Sequence, residues 1–311
     1  MSVQAITRTA RFPTAMGIPG YILAPNGGQI FYVDSGGVRD ETTADVANML
    51  FTSLAAALNA CRTNRGDTVI VLPQHTESVT ATSHTWKAGV RVIGVGNGDE
   101  RGTFTWDATG STWAISSANV QIENVILNLG NANGVTAGIT VTAAAFRLKG
   151  CDVVTTTDST HKVTLGIDLG AGASRAVIEA NNFRGAAGTL STDVVKISST
   201  GDQIRIVDNI MVCGATAANG LIHVTGAATN FIISGNTCYS TGASSTAAIK
   251  IDDVASDGFV DSNRVAVTNN GTAANQGIVW AGTGTTTAKG GLNYCSDEVG
   301  KNGALAPGAA T

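Results

Sequence analysis

The sequence FIISGNTCYS occupies residues 231–240, and its pattern recurs one period earlier and one period later. Residues 204–213 read IRIVDNIMVC, 27 positions upstream, and residues 258–267 read GFVDSNRVAV, 27 positions downstream. In each stretch an alternating apolar pattern typical of a β-strand precedes an Asn, and a second alternating pattern follows it. A unit that recurs at a fixed period of this length stacks on its own copies, so the pattern predicts a solenoid.

Two independent sets of positions carry this period through the second half of the chain. The first set has steps of 27 to 30 residues and comprises Asn124, Cys151, Asn181, Asn209, Asn236 and Asn263. The second set is an apolar-x-apolar triplet with steps of 27 to 29 residues, at 139–141, 167–169, 195–197, 222–224, 249–251 and 278–280. Because both sets keep nearly the same period, one structural unit is repeated.

Each repeat has room for three short strands and three turns, since strands of this kind need about 3 to 6 residues each. No repeat contains a long stripe of period 3.6. We therefore predict an all-β fold, a right-handed single-stranded parallel β-helix. Counted at the observed period from Asp67 to Cys295, it has about eight coils.

The recurring Asn predicts a ladder of stacked side-chain amides, formed by Asn124, Asn181, Asn209, Asn236 and Asn263. Asn tolerates left-handed backbone geometry at a tight bend, and its amide can hydrogen-bond to the next coil. Cys151 interrupts the row. The alternative is that these residues are ordinary surface turn Asn residues.

Three stretches near the start of the solenoid carry a family resemblance. Residues 28–36 read GQIFYVDSG, residues 54–60 read LAAALNA, and residues 66–73 read GDTVIVLP. From about residue 28 onward the chain resembles the pectin-lyase-like β-helix superfamily. The resemblance implies an extended strand and a capping helix over residues 28–66, with the helix at 43–62, followed by the β-helix over residues 67–295. This fold serves polysaccharide lyases, glycosidases, phage tailspikes and virion shell components alike.

The composition narrows the class of protein. Charged residues make up 14% of the chain, well below the roughly 25% of ordinary soluble domains. The low charge and the Thr-rich loops, such as TGTTTA at residues 283–288, resemble those of phage structural proteins.

The net charge of −4 provides no basic surface for nucleic acid, so we expect no direct nucleic-acid binding. No export signal and no apolar run long enough to span a membrane is visible, which fits assembly in a host cytoplasm.

The sequence predicts no catalytic residues, no metal and no cofactor. Glycosidases need two carboxylates at close range, and the acidic residues here do not share a register on adjacent coils. The outward positions of the triplet row are Thr140, Asp168, Lys196, His223, Lys250 and Val279. We interpret this row as solvated cross-strand pairs, with an acid–base stripe as the alternative. The densest acidic group, Asp252, Asp253 and Asp257, is interpreted as a turn or cap, with a Ca²⁺ site as the alternative.

The five cysteines show no metal-ligand spacing and are expected to be reduced core residues.

A row of outward side chains before the ladder Asn predicts a subunit contact. Alternation places Val177, Arg205, Ile232 and Phe259 outward. An exposed apolar row indicates a partner, and β-helical virion proteins associate as trimers, so we expect a homotrimer. The alternative is a loop that folds over the row.

The first 27 residues precede the β-helix pattern, and we predict that they form an extended arm that binds a partner. Its charged and apolar anchors are Arg8, Arg11, Phe12, Ile18, Tyr21 and Ile22. Segments of this sort order on binding, and the expected partner is the major capsid protein of a phage head. The alternative is a disordered leader. Residues 296–311 are expected to form an extended tail.

Together these features predict a bacteriophage virion protein on the exterior of the capsid. The chain would act as a trimeric decoration or cement protein that stabilises the head shell. The alternative is a phage tailspike, or a polysaccharide lyase or glycosidase acting on host surface glycan.

Overall fold

The computed structural model describes residues 27–36, 49–80, 84–132, 134–158, 160–185, 190–215, 219–241, 247–252, 255–267, 277–280, 289–296 and 303–305. The predicted arm anchors, from Arg8 to Ile22, lie outside these ranges. So does Asp253 of the acidic group.

The described residues form a parallel β-solenoid with three sheets running along its length. Sheet 1 contains the strands Ile30–Val33, Leu50–Phe51, Thr68–Val71, Arg91–Gly94, Gln121–Glu123, Arg147–Lys149, Val177–Glu179, Arg205–Val207, Phe231–Ser234, Gly258–Asp261 and Lys289–Gly290. Sheet 2 contains Thr76–Val79, Thr103–Trp106, Ile126–Asn128, Asp152–Thr156, Asn182–Gly185, Ile210–Ala215, Thr237–Ser240, Arg264–Val267, Asn293–Ser296 and Gly303–Leu305. Sheet 3 contains Trp113–Ile115, Val135–Val141, Val163–Leu169, Asp193–Ile197, Ile222–Val224, Ile249–Ile251 and Ile278–Trp280. The short strand Leu190–Ser191 pairs with Ile210–Ala215 beside the main strand order of sheet 2.

Each complete coil contributes one strand to each sheet, and each strand pairs in parallel with its equivalent in the next coil. Ile206 lies opposite Ile233, for example, and Ile233 lies opposite Val260. Equivalent residues therefore stack along the axis, which is why the sequence period is visible at all. The inward side chains of these rows are fully buried and form one continuous core.

The structure has about seven turns rather than the expected eight. Among the described residues, sheet 3 has seven strands, from Trp113–Ile115 to Ile278–Trp280. The first coil, with Thr68–Val71 and Thr76–Val79, has no sheet 3 strand in the described ranges. The expected count divided the span from Asp67 to Cys295 by the period, so it included the partial coils at both ends, of which the last contains Lys289–Gly290 and Asn293–Ser296.

The N-terminal end of the core is covered by a short helix, Leu54–Ala60, whose buried side chains are Leu54, Ala57 and Leu58. Ser53 caps it, because its hydroxyl accepts a hydrogen bond from the N–H of Ala56 at 3.2 Å. Of the helix predicted at residues 43–62, residues 43–48 lie outside the described ranges, and among the rest only residues 54–60 are helical. Leu50, inside the predicted helix range, lies instead in the strand Leu50–Phe51, paired with Tyr32 and Val33. None of the helices in the described part of the chain is long and apolar enough to cross a membrane.

At the C-terminal end the chain reverses direction. The strand Gly303–Leu305 pairs antiparallel with Asn293–Ser296, whereas every other strand pair in the three sheets is parallel among the described residues. Part of the segment expected to be an extended tail, residues 296–311, is thus a strand of sheet 2.

Candidate contact surface and buried polar clusters

The corner between sheets 1 and 2 contains a row of buried Asn side chains. Asn209 donates two hydrogen bonds to the Oδ1 atom of Asn236, from its backbone N–H at 3.0 Å and from its Nδ2 at 2.9 Å. Asn181 binds Asn209 in the same way, and Asn236 binds Asn263. Each carboxamide thus satisfies two donors of the preceding coil.

The ladder differs from the prediction at both ends. It continues to Asn293, whose Oδ1 accepts from the N–H and Nδ2 of Asn263, both at 3.0 Å. Asn293 lies 30 residues after Asn263, so one further step of the period would have found it. Asn124 does not belong to the row, because the residue in register with Cys151 is Val125.

Asn124 occupies the position one residue earlier, where the backbone turns the corner. It has a φ of 54°, and the residues at this position in the following coils also have positive φ: Gly150, Ala180, Asp208, Gly235 and Ser262. The Nδ2 of Asn124 donates to the carbonyls of Gly94 and Gly96 at 2.9 and 3.2 Å. Asn favours both left-handed backbone and amide ladders, which is why the sequence could not separate these two roles.

The row predicted as a subunit contact lies on the outer surface of sheet 1. Val177, Arg205, Ile232 and Phe259 follow one another in register on consecutive coils. Phe259 is 53% exposed, Arg205 is exposed, and Val177 and Ile232 are partly exposed. No loop in the described part of the chain buries the row.

The N-terminal half of the same face has a different character. Arg91 pairs with Glu123 at 3.0 Å, and Arg147 and Lys149 pair with Glu179 at 2.6 and 3.0 Å. These ion pairs bridge neighbouring coils. Along the solenoid axis, the outer face of sheet 1 therefore changes from coils joined by ion pairs to coils with exposed apolar side chains.

A second exposed apolar area lies on sheet 2 and was missed from the sequence. Ile210 is 51% exposed and Tyr294 is 54% exposed, and Val212 and Tyr239 are each 39% exposed. Val212 and Tyr239 are cross-strand neighbours. Alternation after the ladder Asn would have placed Tyr239 outward, beside the inward Cys238.

Two arginines border this area. Arg184 lies next to Val212, and Arg264 lies between Thr237 and Tyr294 in register. Both side chains are exposed, and neither makes an ion pair within the described ranges. We name the row on sheet 1 the A-row (Val177, Arg205, Ile232 and Phe259). We name the area on sheet 2 the B-patch (Arg184, Ile210, Val212, Tyr239, Arg264 and Tyr294).

The outward row of sheet 3 contains a buried charged cluster. His223 lies between two carboxylates: its Nδ1 is 2.7 Å from Oδ1 of Asp193, and its Nε2 is 2.8 Å from Oδ2 of Asp252. Lys250 donates to the same oxygen of Asp252 at 2.9 Å, and Lys196 lies 4.0 Å from Asp193. The cluster connects three consecutive coils. Asp193 and His223 at its centre are buried, whereas Lys196, Lys250 and Asp252 are partly exposed, so His223 of the predicted row is not a solvated residue.

Burial raises the pKa of Asp252, but hydrogen bonds from Lys250 and His223 outweigh this and lower the pKa overall. Both ring nitrogens of His223 lie within hydrogen-bond distance of a carboxylate oxygen. In this arrangement both nitrogens are occupied, so the ring is not free to activate a nucleophile.

A second buried cluster lies at the N-terminal end of the core. Glu77 accepts a hydrogen bond from the N–H of Leu54 at 2.6 Å, at the first residue of the helix. The Nε2 atoms of His75 and His84 lie 3.1 and 3.3 Å from its carboxylate oxygens. The backbone N–H of Ser35 donates to Nδ1 of His75, so Nε2 carries the proton toward Glu77. Burial raises the pKa of Glu77, but these contacts outweigh it and lower the pKa to about 2.

All five cysteines are buried as free thiols, which includes Cys213 and Cys238 on adjacent coils. Burial raises the pKa of Cys61, Cys151 and Cys213 to about 12. Within the described ranges, no group of three His, Cys, Asp or Glu side chains is arranged to hold a metal ion.

In comparisons with known proteins, no family model matches the chain and no curated sequence is similar to it. The function of the two exposed surfaces and the polar clusters is therefore inferred from their geometry.

Proposed function

We propose that the chain is a structural protein of a tailed-bacteriophage virion. In this proposal it binds the major capsid protein on the exterior of the head and stabilises the shell as a decoration or cement protein. It acts as a homotrimer of right-handed, pectin-lyase-like β-helices and has no enzymatic activity.

The observation that carries the proposal is the pair of exposed apolar surfaces on a rigid solenoid. Phe259, Ile210 and Tyr294 are each more than half exposed, although each lies on a regular strand where a polar residue would serve equally well. Exposed apolar groups on adjoining faces mark a surface that another protein covers. A solenoid that presents such a surface is suited to assembly.

Composition and resemblance support the virion assignment. The low charge and the Thr-rich loops are typical of phage structural proteins, and the pectin-lyase-like pattern of residues 28–96 occurs in virion components. In the proposal the arm of residues 1–27 contacts the shell through Arg8, Arg11, Phe12 and the apolar residues that follow them.

Quantitative mass spectrometry of purified virions tests the function. We expect a copy number that is a simple symmetric fraction of that of the major shell protein. A few copies per particle would place the chain on the tail instead. Complete absence from virions would overturn the proposal.

A glycan-degrading tailspike or lyase is the second candidate, and one observation favours it. Tyr239 and Tyr294 expose aromatic rings on sheet 2, with the exposed Arg264 between their coils. Aromatic faces stack on sugar rings, and arginine binds sugar carboxylates. Release of reducing ends or unsaturated sugars from host surface polysaccharide would favour this candidate. Tyr239→Ala and Tyr294→Ala variants should then lose the activity.

A further inference from the structure

We propose that the A-row of one copy packs against the B-patch of the next copy, with the Asn corner facing the threefold axis. This inference rests on the trimer of the proposed function and specifies how its subunits meet. It assigns a role to the B-patch.

Symmetry requires two different surfaces in a closed trimer. A threefold ring is built from heterologous contacts, so each subunit contributes one patch to one neighbour and a different patch to the other. A single row on sheet 1 cannot close such a ring. The B-patch supplies the second surface, and it lies around the corner from the A-row on the same coils, as Ile232 and Tyr239 illustrate.

The corner geometry determines which residues meet. In each coil the last outward residue of sheet 1 is two positions before the ladder Asn, and the first outward residue of sheet 2 is one position after it. Asp261 and Arg264 hold these positions around Asn263. When three solenoids stand parallel to the axis, equal coils lie at equal height. Asp261 then faces Arg264 of the next copy, and Ile232 faces Tyr239 of the next copy.

The facing residues are complementary in charge and in apolar character. Asp261 is partly exposed, Arg264 is exposed, and Arg264 makes no ion pair within the described ranges of its own chain. An ion pair between subunits would supply its partner. Ile232 is partly exposed and Tyr239 is 39% exposed, and their contact would remove the exposed parts of both side chains from water.

In the last coil Gly291 stands in the position of Asp261, and Tyr294 stands in that of Arg264. The side chain of Asp261 lies over Gly291, where a Cβ atom would be 2.0 Å from its Oδ1 atom. The 54% exposed ring of Tyr294 would therefore meet this position, and the Asp261 carboxylate beside it, on the neighbouring copy.

The corner itself fits a position at the axis. Its exposed residues in successive coils are small or polar, Ala180, Asp208, Gly235 and Ser262, until Leu292, which is 53% exposed. Three copies of Leu292 would meet at the axis and bury one another. The apolar contact is restricted to the C-terminal half of the solenoid, because the N-terminal half of sheet 1 is occupied by its own ion pairs.

Paired cysteines test this arrangement in the full-length chain. The double variant Ile232→Cys/Tyr239→Cys is treated with a short bismaleimide, and the products are separated under denaturing conditions. The single variants are the matched controls, because a heterologous contact never brings two copies of the same position together. The five native thiols are buried and remain outside the reaction. Mass by light scattering is measured for every variant and for the unsubstituted chain.

We expect a covalent trimer from the double variant and no product from either single variant. A trimeric mass without cross-linking of the double variant would overturn the pairing of the two faces and leave the trimer intact. A covalent dimer from one single variant would show a twofold contact and overturn it as well. A monomeric mass for the unsubstituted chain would refute the trimer itself.

Charge exchange provides a second test that does not depend on cross-linking. Asp261→Arg and Arg264→Asp should each lower the association constant of the trimer at least tenfold. The double variant should restore this constant. Failure of the double variant to recover, with each chain still folded by circular dichroism, would contradict the pairing of Asp261 with Arg264.

Discussion

The Oδ1 atom of Asn263 accepts two hydrogen bonds from Asn236, one from the backbone N–H and one from the side-chain amide, both at 3.0 Å. The same pair of contacts joins each successive Asn of the ladder. The corner between sheets 1 and 2 is therefore held by side chains that replace the missing backbone ladder at the bend. Their removal leaves donors in the core without a partner.

Asn236→Leu should lower the free energy of unfolding by about 1–3 kcal/mol, because the buried backbone N–H of Asn209 loses its acceptor, while its Nδ2 keeps the carbonyls of Ile178 and Val207. Urea denaturation followed by circular dichroism measures the change. Asn131→Leu is the control, since Asn131 makes an exposed bond to Asp107, and it should change stability by less than about 0.5 kcal/mol. Equal midpoints for the two variants would contradict the role of the ladder.

Gly94→Ala should destabilise the chain by about 1–3 kcal/mol through overpacking. A Cβ atom at Gly94 would lie 2.0 Å from the carbonyl oxygen of Asn124 on the next coil. Gly110→Ala is the matched control, because a Cβ there would meet no atom within 4 Å. Thermal denaturation of both variants checks the difference. A melting temperature for Gly94→Ala equal to that of the control would show that the coils are farther apart at this point.

Glu77→Gln should reduce stability at neutral pH and lose its effect in acid. The folded chain lowers the pKa of Glu77 from 4.5 to about 2, so the carboxylate contributes stability that is fully present above about pH 4.5. This contribution, at most about 3 kcal/mol, disappears as the pH falls toward 2. Denaturation midpoints of the two proteins, measured between pH 2 and 7, should converge at the acid end. A constant difference across this range would refute the linkage.

Phe259→Asp should dissociate the oligomer and lower its melting temperature, because it places a carboxylate in the centre of the proposed contact. Thr136→Asp adds the same charge at an exposed position of sheet 3 and should leave both quantities unchanged. Light scattering and thermal denaturation of the two variants are compared. If Phe259→Asp behaves like the control, the A-row is not a subunit contact.

The cysteines should be unreactive in the folded chain. All five thiols are buried, and burial raises the pKa of Cys61, Cys151 and Cys213 to about 12, so almost no thiolate is present at pH 8. Titration with a chromogenic disulfide should show no fast reaction, and five equivalents after denaturation. Rapid labelling of even one thiol before denaturation would contradict the packing of its coil.

The period and the strand pattern were sufficient to predict the parallel solenoid, because stacked coils place equivalent residues in contact and so constrain them alike. The inward positions Ile206, Ile233 and Val260 illustrate this. The outward direction of Phe259 follows from the same alternation. What the sequence could not resolve were features that depend on a shift of one residue. Asn124 has the right residue type at nearly the right spacing, yet it forms the bend rather than the ladder.

The polar clusters were beyond sequence reasoning for a different reason. His223 meets Asp193, which lies 30 residues earlier, and Asp252, which lies 29 residues later. The three residues do not share one position of the repeat, so the period does not align them. Only the path of the chain between the sheets brings them together. The same is true of Glu77 and Leu54, which meet because a helix covers the end of the core.

The reversed strand Gly303–Leu305 affects whether a second solenoid can stack on the C-terminal end of the first. A parallel solenoid exposes unpaired backbone donors and acceptors at each end, and a second molecule could continue the winding there. Antiparallel pairing with Asn293–Ser296 occupies that edge of sheet 2 with the wrong hydrogen-bond pattern for another parallel coil. A second copy therefore cannot continue the parallel winding of sheet 2 at this edge.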